Sequence, residues 1–349
     1  MRQPSVAVIG TGFGGLAAAI ELKRSGLDDL VIFERGPDVG GVWRENTYPG
    51  AACDVPSPYY SFSFEPNRNW PRRFAGQPAI LDYLRGVANK YDLRRHIRFG
   101  TEVTAAHYVE TTRTWRIRTG DGTVEVDVLV SAVGQLSRPS WPDIPGRETF
   151  RGAALHSAQW DHDVELAGKR VAVIGTGASA VQFVPEIQPE VAHLTVFQRS
   201  PAHLVPRSDT EFGYRAAHKV RAAQLIERAA WWGFSEAVTL SFLRSEVLSR
   251  ALTAYSRRHM RRQVPDPDLF EKVWPQYPIG CKRMLFSGDY LPALAQSDVD
   301  VIDTRISVWT KCTSWYRDAT GRISTNWPGT SLEYRRRAAF QPSVYEPAD

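Results

Sequence analysis

Val6-Ala-Val-Ile-Gly10-Thr-Gly12 recurs, residue for residue, as Val171-Ala-Val-Ile-Gly175-Thr-Gly177. In each copy a short β-branched run ends in glycines and passes into a helix-forming segment. Strand, tight turn and helix N-terminus in that order form a cradle for phosphate. The first N–H groups of the helix lack intrahelical partners, and its dipole favours negative charge. Finding the cradle twice predicts an α/β chain with two dinucleotide-binding halves. A function that passes electrons between two bound nucleotides is the first expectation.

Working outward from the first copy, Gly10, Gly12 and Gly15 complete G-x-G-x-x-G, and a helix is expected from Gly14 to Ser25. The first glycine permits the turn, the second lets a pyrophosphate approach the backbone, and the third lets helix and strand pack closely. Leu30–Phe33 reads as the next strand. It ends at Glu34, where a carboxylate receives ribose hydroxyls. In the second copy Gly175, Gly177 and Ala180 make G-x-G-x-x-A, and the following strand is His193–Gln198. There the acid is replaced by neutral Gln198, followed by Arg199. Loss of the carboxylate and gain of a guanidinium is the change that admits a 2′-phosphate. Arg35 also follows Glu34, so the contrast rests on the lost acid as much as on the gained arginine. The first site is expected to hold FAD or NAD, the second NADP.

Residues 36–77 are rich in Pro, Gly and aromatics and lack a period, and a loop of that length in a compact domain is usually functional. Asp54 is the lone acid inside Tyr48–Phe64. A helix is expected over Ala79–Tyr91, then a small inserted sheet between Ile97 and Val133. Pro139, Pro142 and Pro145 make a rigid linker. Helix is expected from Thr210 to about Arg262, ending in the basic cluster Arg257–Arg262, which reads as a solvated helix face. Pro265 to Pro278 should break that helix, and Lys282 and Arg283 arrive on a glycine-flanked loop as a candidate clamp on anionic charge. The expected organisation is residues 1–140 as the first nucleotide domain, 141–168 as linker and 169–325 as the second nucleotide domain. A helical insertion falls at about 210–265, and 326–349 form a tail without regular structure.

Hydrophobic content of 43% and charged content of 23% are those of a soluble globular chain, and 349 residues suffice for two domains. The net charge of +5 suits an anionic cofactor and is too diffuse to argue for nucleic acid. Cys53, Cys281 and Cys312 stand far apart in sequence, and no metal-ligand cluster is visible. Met1 leads straight into the first strand without a signal-peptide pattern, and no apolar run reaches the roughly 20 residues of a membrane span. A cytoplasmic protein is expected.

At this point the residues match a family. Phe150-x-Gly152-x-x-x-His156-x-x-x-Trp160-Asp161 lies between the two cradles and resembles the fingerprint of Baeyer–Villiger monooxygenases, class B flavoproteins. Gly40-Gly41-Val42-Trp43, Tyr48-Pro49-Gly50, Cys53-Asp54 and Gly280-Cys281-Lys282-Arg283 resemble family segments in family order, and the likeness runs from Ser5 to Val308. It implies two Rossmann-like domains, FAD in the first and NADPH in the second. It also implies oxidation of a ketone by O2 to an ester or lactone through a C4a-peroxyflavin.

Carried over residue by residue, Gly10, Gly12, Gly15 and Glu34 would hold FAD, with Trp43 and Asp54 near the flavin. Gly175, Gly177, Ala180, Arg199, Ser200 and Lys282 would hold NADPH. Phe13, Gly14, Arg35, Gly41, Val42, Tyr60, Val103, Gly134, Thr176, Ser179 and Gln182 complete the implied cofactor-binding set. Arg283 matches the essential arginine of the family, Asp54 would pair with it, and His156 would serve domain coupling.

Family members are longer, and their chain returns to finish the FAD domain with an Ala-Thr-Gly-Phe-like strand end. No such motif follows Val308, so the expectation is a C-terminally truncated member. Two other readings stand beside this one. An N- or S-oxidising flavin monooxygenase shares both cradles, although Asp54 with Arg283 favours the Baeyer–Villiger branch. A non-catalytic nucleotide-binding remnant is the reading from a different class.

Overall fold

The computed structural model describes residues 2–209, 220–244 and 246–303. The first part of the expected helical stretch, Val308, Cys312 and the tail 326–349 lie outside the described residues. The chain divides into two compact units. One comprises residues 2–140 and 155–303, and so contains both cradles. The described part of the other is residues 141–154.

In the first half of the larger unit, β1 (Val6–Ile9), β2 (Leu30–Phe33), β3 (Ile97–Arg98) and a strand at Val128–Ser131 form a parallel sheet. Numbering the intervening strands β4 (Val103–Val109), β5 (Thr114–Thr119) and β6 (Gly122–Val126) makes the last one β7, and the order is β3-β2-β1-β7. Val6 stands opposite Leu30 on one side and Val128 on the other. A central parallel strand is covered on both faces, and side chains alternate between those faces. Val6 and Val8 accordingly join Leu16 and Ile20 of α1 (Phe13–Arg24) in one core. Ala7 points the other way, into a smaller core with Phe33, Ile117 and Val126. The antiparallel β4-β5-β6 sheet therefore seals the face that the helices leave open.

After α2 (Val42–Glu45), α3 (Gln77–Lys90) completes the helical face through Ile80, Leu84, Val87 and Ala88, all buried and spaced at three and four residues.

The second half repeats the pattern. β8 (Arg170–Ile174) leads into α4 (Ala178–Ile187) and β9 (His193–Phe197). Further along, β10 (Leu204–Val205) pairs with β11 (Leu285–Phe286), and β12 (Val299–Ile302) adds to the parallel sheet in the order β12-β9-β8. Between β10 and β11 come α5 (Arg221–Arg244), α6 (Glu246–Gln263) and α7 (Pro267–Val273), and α8 (Tyr290–Leu294) precedes β12.

Two expectations need correction here. The Pro265–Pro278 segment holds a helix, α7. Asp266 caps it by accepting the Asp268 N–H at 2.9 Å, and Pro267 occupies the first turn, where its missing N–H costs nothing. The basic cluster is also more than a solvated face. Met260 is fully buried, the Arg261 guanidinium lies 4.8 Å from the Phe270 ring centre, and that of Arg257 lies 5.6 Å from Trp274. Two of its arginines thus clamp α7 by cation–π stacking.

In the smaller unit, the Arg147 guanidinium lies 4.1 Å over the Trp141 ring, and residues 147–149 make a single 3₁₀ turn. No helix among the described residues is long and apolar enough to cross a membrane.

Candidate dinucleotide sites and the Asp54–Arg283 pair

The first cradle is built so that the backbone alone faces outward. Gly10 adopts φ +99°, and a Cβ there would stand 2.5 Å from the Ala132 carbonyl oxygen. A Cβ on Gly15 would lie 1.9 Å from the Gly10 oxygen, so α1 and β1 meet at the distance only glycine allows. α1 begins at Phe13 with neither a side-chain cap nor an acidic residue in its first turn. Its N-terminal donors remain open to an anion. Gly41 and Val42 follow Gly40, whose N–H donates to the Thr11 carbonyl at 3.0 Å, and this fixes the second loop beside the cradle. Phe13 and Tyr60 meet edge to face at 4.9 Å, and the Trp43 indole donates to the Tyr60 hydroxyl at 3.1 Å. The sequence-derived residues Phe13, Gly41, Val42, Trp43 and Tyr60 therefore gather at one cradle.

Glu34 is at the end of β2, but its carboxylate is 4% exposed and already engaged. One oxygen accepts the Thr11 N–H at 3.1 Å and the Thr11 hydroxyl at 2.5 Å. The other accepts the Gly36 N–H at 2.8 Å and stands 3.0 Å from the Arg44 guanidinium. These contacts use the four acceptor positions of a carboxylate, so a ribose hydroxyl would have to share with or displace one donor. Thr11 and Arg44 were not singled out from the sequence. Thr11 sits inside the glycine motif, and Arg44 directly follows Trp43, which were the available signals. Arg35 is also engaged, with Glu45 at 2.8 Å and the Ser137 carbonyl at 2.7 Å. Gly14 lies in the first turn of α1. Val103 pairs with Thr119 at the head of β4, and Gly134 follows β7 at φ +74°.

In the second cradle, a Cβ on Gly175 or Gly177 would meet nothing within 4 Å. The chain's own packing therefore does not require glycine at 177, and the space above the start of α4 is open. Again the helix has no side-chain cap and no first-turn acid, and Ala180 is buried. The Thr176 hydroxyl donates to the Ser200 carbonyl at 3.4 Å, and the Lys282 ammonium bonds the Ser200 hydroxyl. Gln198 is buried, and its amide donates to the Lys272 carbonyl at 2.7 Å. Arg199 is exposed and has no side-chain partner among the described residues. An open helix N-terminus flanked by Arg199 and Lys282 fits the phosphates of a dinucleotide. Ser179, in the first turn of α4, neighbours the Tyr48 hydroxyl.

Ion pairs join the two halves, Arg72 with Asp209 at 3.0 Å, Arg73 with Glu227 at 2.8 Å, and a third between the loop of Asp54 and that of Arg283. Arg283 Nη2 donates to both oxygens of Asp54 at 2.6 Å, across 229 residues of sequence. The Asp54 side chain is 15% exposed and that of Arg283 is 63% exposed. The carboxylate is thus held in the wall while the guanidinium's remaining N–H groups face outward. Next to Asp54, burial pushes the Cys53 thiol up to about 12, so at neutral pH it is a packed thiol and no nucleophile.

Beyond Met284 a cavity of ≈ 360 Å³ is lined by Phe74, Trp231, Phe234, Met284 and Phe286. Arg73 also borders it and is paired with Glu227 at 2.8 Å. His156 closes a tight turn in which its Nδ1 accepts the Ala158 N–H at 3.1 Å, and Trp160 packs against Phe183 of α4 at 5.4 Å.

A family model described as pyridine nucleotide-disulphide oxidoreductase matches residues 7–230. The chain belongs to that family. The chain is 50% identical over 305 residues to a Baeyer-Villiger monooxygenase of Streptomyces coelicolor, covering 86% of this chain and 59% of the relative. It is 44% identical over 305 residues to a Baeyer-Villiger monooxygenase of Pseudomonas aeruginosa, covering 86% of this chain and 58% of the relative. Among solved structures, an oxidized steroid monooxygenase bound to NADP superposes with a TM-score of 0.75 at 34% identity, covering 86% of this chain and 65% of that one. The cyclohexanone monooxygenase of Rhodococcus sp. Phi1 bound to NADP+ gives 0.73 at 30% identity, covering 87% and 66%. The chain therefore spans somewhat under two thirds of the length of these proteins. The resemblance read from the fingerprint is borne out, as is the fold class of two Rossmann-type halves.

Proposed function

We propose that this chain serves an FAD- and NADPH-dependent monooxygenase reaction that inserts one atom of O2 into a ketone, giving an ester or lactone. The observation that carries the reading is the Asp54–Arg283 pair, which stands where the two cradled halves meet. Names of relatives support it, among them Baeyer-Villiger monooxygenase and FAD-binding monooxygenase.

Residues 1–140 would hold FAD on Gly10, Gly12 and Gly15. Residues 169–325 would hold NADPH on Gly175, Gly177 and Ala180, with Arg199, Ser200 and Lys282 at its phosphates. FAD, reduced by NADPH, would supply the two electrons with which one oxygen atom enters the ketone and the other leaves as water. Arg283 presents the N–H groups that Asp54 does not engage to the oxygen on which negative charge develops. Asp54 fixes its direction. The cavity lined by Met284, the residue after Arg283, offers an apolar seat for the carbon skeleton of the ketone. His156 shapes the turn that carries Trp160 onto α4. A cytoplasmic setting, where these nucleotides are abundant and thiols stay reduced, suits such a protein.

The test is the visible absorption spectrum of the FAD-loaded protein under anaerobic conditions. Addition of NADPH is expected to bleach the flavin bands. Bands that persist with saturating NADPH would contradict a connection between the two cradles.

A further inference from the structure

α5 is amphipathic in the reverse of the usual sense. Its inner face is polar and bonded to the first half of the chain. Gln224 donates to the Asn67 carbonyl at 2.8 Å, and Glu227 pairs with Arg73 at 2.8 Å. Arg228 donates to the Pro58 and Ser61 carbonyls at 3.0 and 3.1 Å. The outer face, turn after turn, is Ala222, Leu225, Ala229 and Trp232, with Ile226 and Gly233 beside them, all exposed. Ile226 is 70% exposed and Trp232 60%. A helix at a water-facing surface carries these residue types on the opposite sides.

α6 adds a second exposed stripe. Leu248, Ala251, Tyr255, Arg258 and Arg262 recur at three and four residues, so one face runs from apolar to cationic. Val247, next to it, is 74% exposed. From Arg221 to Gln263 the sequence has eight arginines, three glutamates and no lysine or aspartate, a net charge of +5. That equals the net charge of the whole chain, so the positive excess lies entirely in these two helices. A contiguous exposed apolar patch marks an interaction site. A second copy of the chain would bring +5 against +5, so the charge favours an anionic partner.

The cavity lined by Met284 narrows the choice of partner. Phe234 of α5 and Tyr255 of α6 line it and are also exposed, so its mouth joins the two stripes. Outward Trp, Leu and Ile, an arginine-rich end and helices too polar to span describe elements that lie in a lipid interface. We propose that the outer faces of α5 and α6 dock on the surface of an anionic lipid bilayer. Ile226 and Trp232 would enter the acyl boundary, and Arg258 and Arg262 would meet headgroup phosphates. The docking does not depend on the reaction proposed above. Taken with that reaction, it puts the cavity mouth at the lipid, where ketones that partition out of water collect.

Sedimentation with vesicles of phosphatidylcholine alone, and with roughly one third phosphatidylglycerol, tests this. The unmodified protein is expected to bind the anionic vesicles about tenfold more tightly or better, and less as salt rises. Ile226→Glu with Trp232→Glu, and separately Arg258→Glu with Arg262→Glu, should each weaken that binding about tenfold or more. Brominated lipid is expected to quench tryptophan fluorescence in the unmodified protein, and Trp232→Phe should remove most of the quenching. That readout serves if a glutamate variant folds poorly.

No binding of the unmodified protein to anionic vesicles, or equal binding to both kinds, would overturn the proposal. Binding that survives both pairs of substitutions would place the contact on another surface, again against it. Binding lost with the arginine pair alone, without quenching by bromine, would mark a face for an acidic protein and would overturn the bilayer assignment.

Discussion

In Arg283→Ala, flavin reduction by NADPH is expected to stay within a few-fold of the unmodified protein, while ester formation falls by about 10²–10³, the range for loss of one preorganised charge-stabilising donor. The guanidinium is positioned by Asp54 and has free N–H groups facing outward, so it meets charge that appears only as oxygen adds to the carbonyl. An interaction made only late in the reaction lowers turnover and leaves earlier steps in place. Arg283→Lys should recover little. An ammonium can bond both oxygens of a carboxylate, as Lys90 does with Glu65, but it lacks the planar fork whose other nitrogens carry the outward donors. Stopped-flow reduction and product analysis separate the two steps. Unchanged ester formation in Arg283→Ala would remove Arg283 from the reaction, and slowed reduction as the sole effect would reassign it to NADPH binding.

Arg199→Ala is expected to weaken NADPH binding by about 1–3 kcal/mol, or roughly 5–150-fold, and to leave NADH nearly untouched. Arg199 follows the strand end at Gln198 and lacks a side-chain partner among the described residues. Its removal therefore orphans no group among the described residues, and the loss falls on the ligand. Gln198 cannot substitute, since its amide is bonded to the Lys272 carbonyl. Titration of each nucleotide against the protein's tryptophan fluorescence reads the two affinities. An equal loss for NADPH and NADH would place Arg199 at a phosphate common to both, against the 2′ assignment.

The architecture was legible because it is written locally. A β-branched run ending at Gly10, or at Gly175, forces a strand, a turn and a helix start within a dozen residues, and both copies form them. The inserted β4-β5-β6 sheet is likewise readable from alternation and from the turn at Asp121-Gly122, but the expected bounds of Ile97 to Val133 are too wide, because Ile97–Arg98 and Val128–Ser131 pair in the parallel sheet with β2 and β1. The helix at Pro267 was missed although Asp266-Pro267 is a start signal. The surrounding prolines read as breakers and mask that signal.

What the sequence hid depends on contacts between distant segments. Nothing local shows that Arg44 would fill the space beside Gly36 and bond Glu34, or that Arg257 and Arg261 would stack on an unsuspected helix. Nor does it show that Tyr48 and Ala51 pack in the core of the other half. In the sequence Asp54 stands out only as a lone acid, and Arg283 only as half of a cationic loop. Only the family resemblance paired them, and the structure brings them to 2.6 Å.

The central claim is that an oxygen atom from O2 is inserted into a ketone on this chain. The direct measurement is product mass after turnover of the FAD-loaded protein with NADPH, an aryl-substituted ketone suited to the cavity beyond Met284, and isotopically labelled O2. One labelled oxygen in the ester, with one NADPH consumed per ester formed, is the expected result. NADPH oxidation that sends all the label to peroxide or water, with the ketone unchanged, would contradict it.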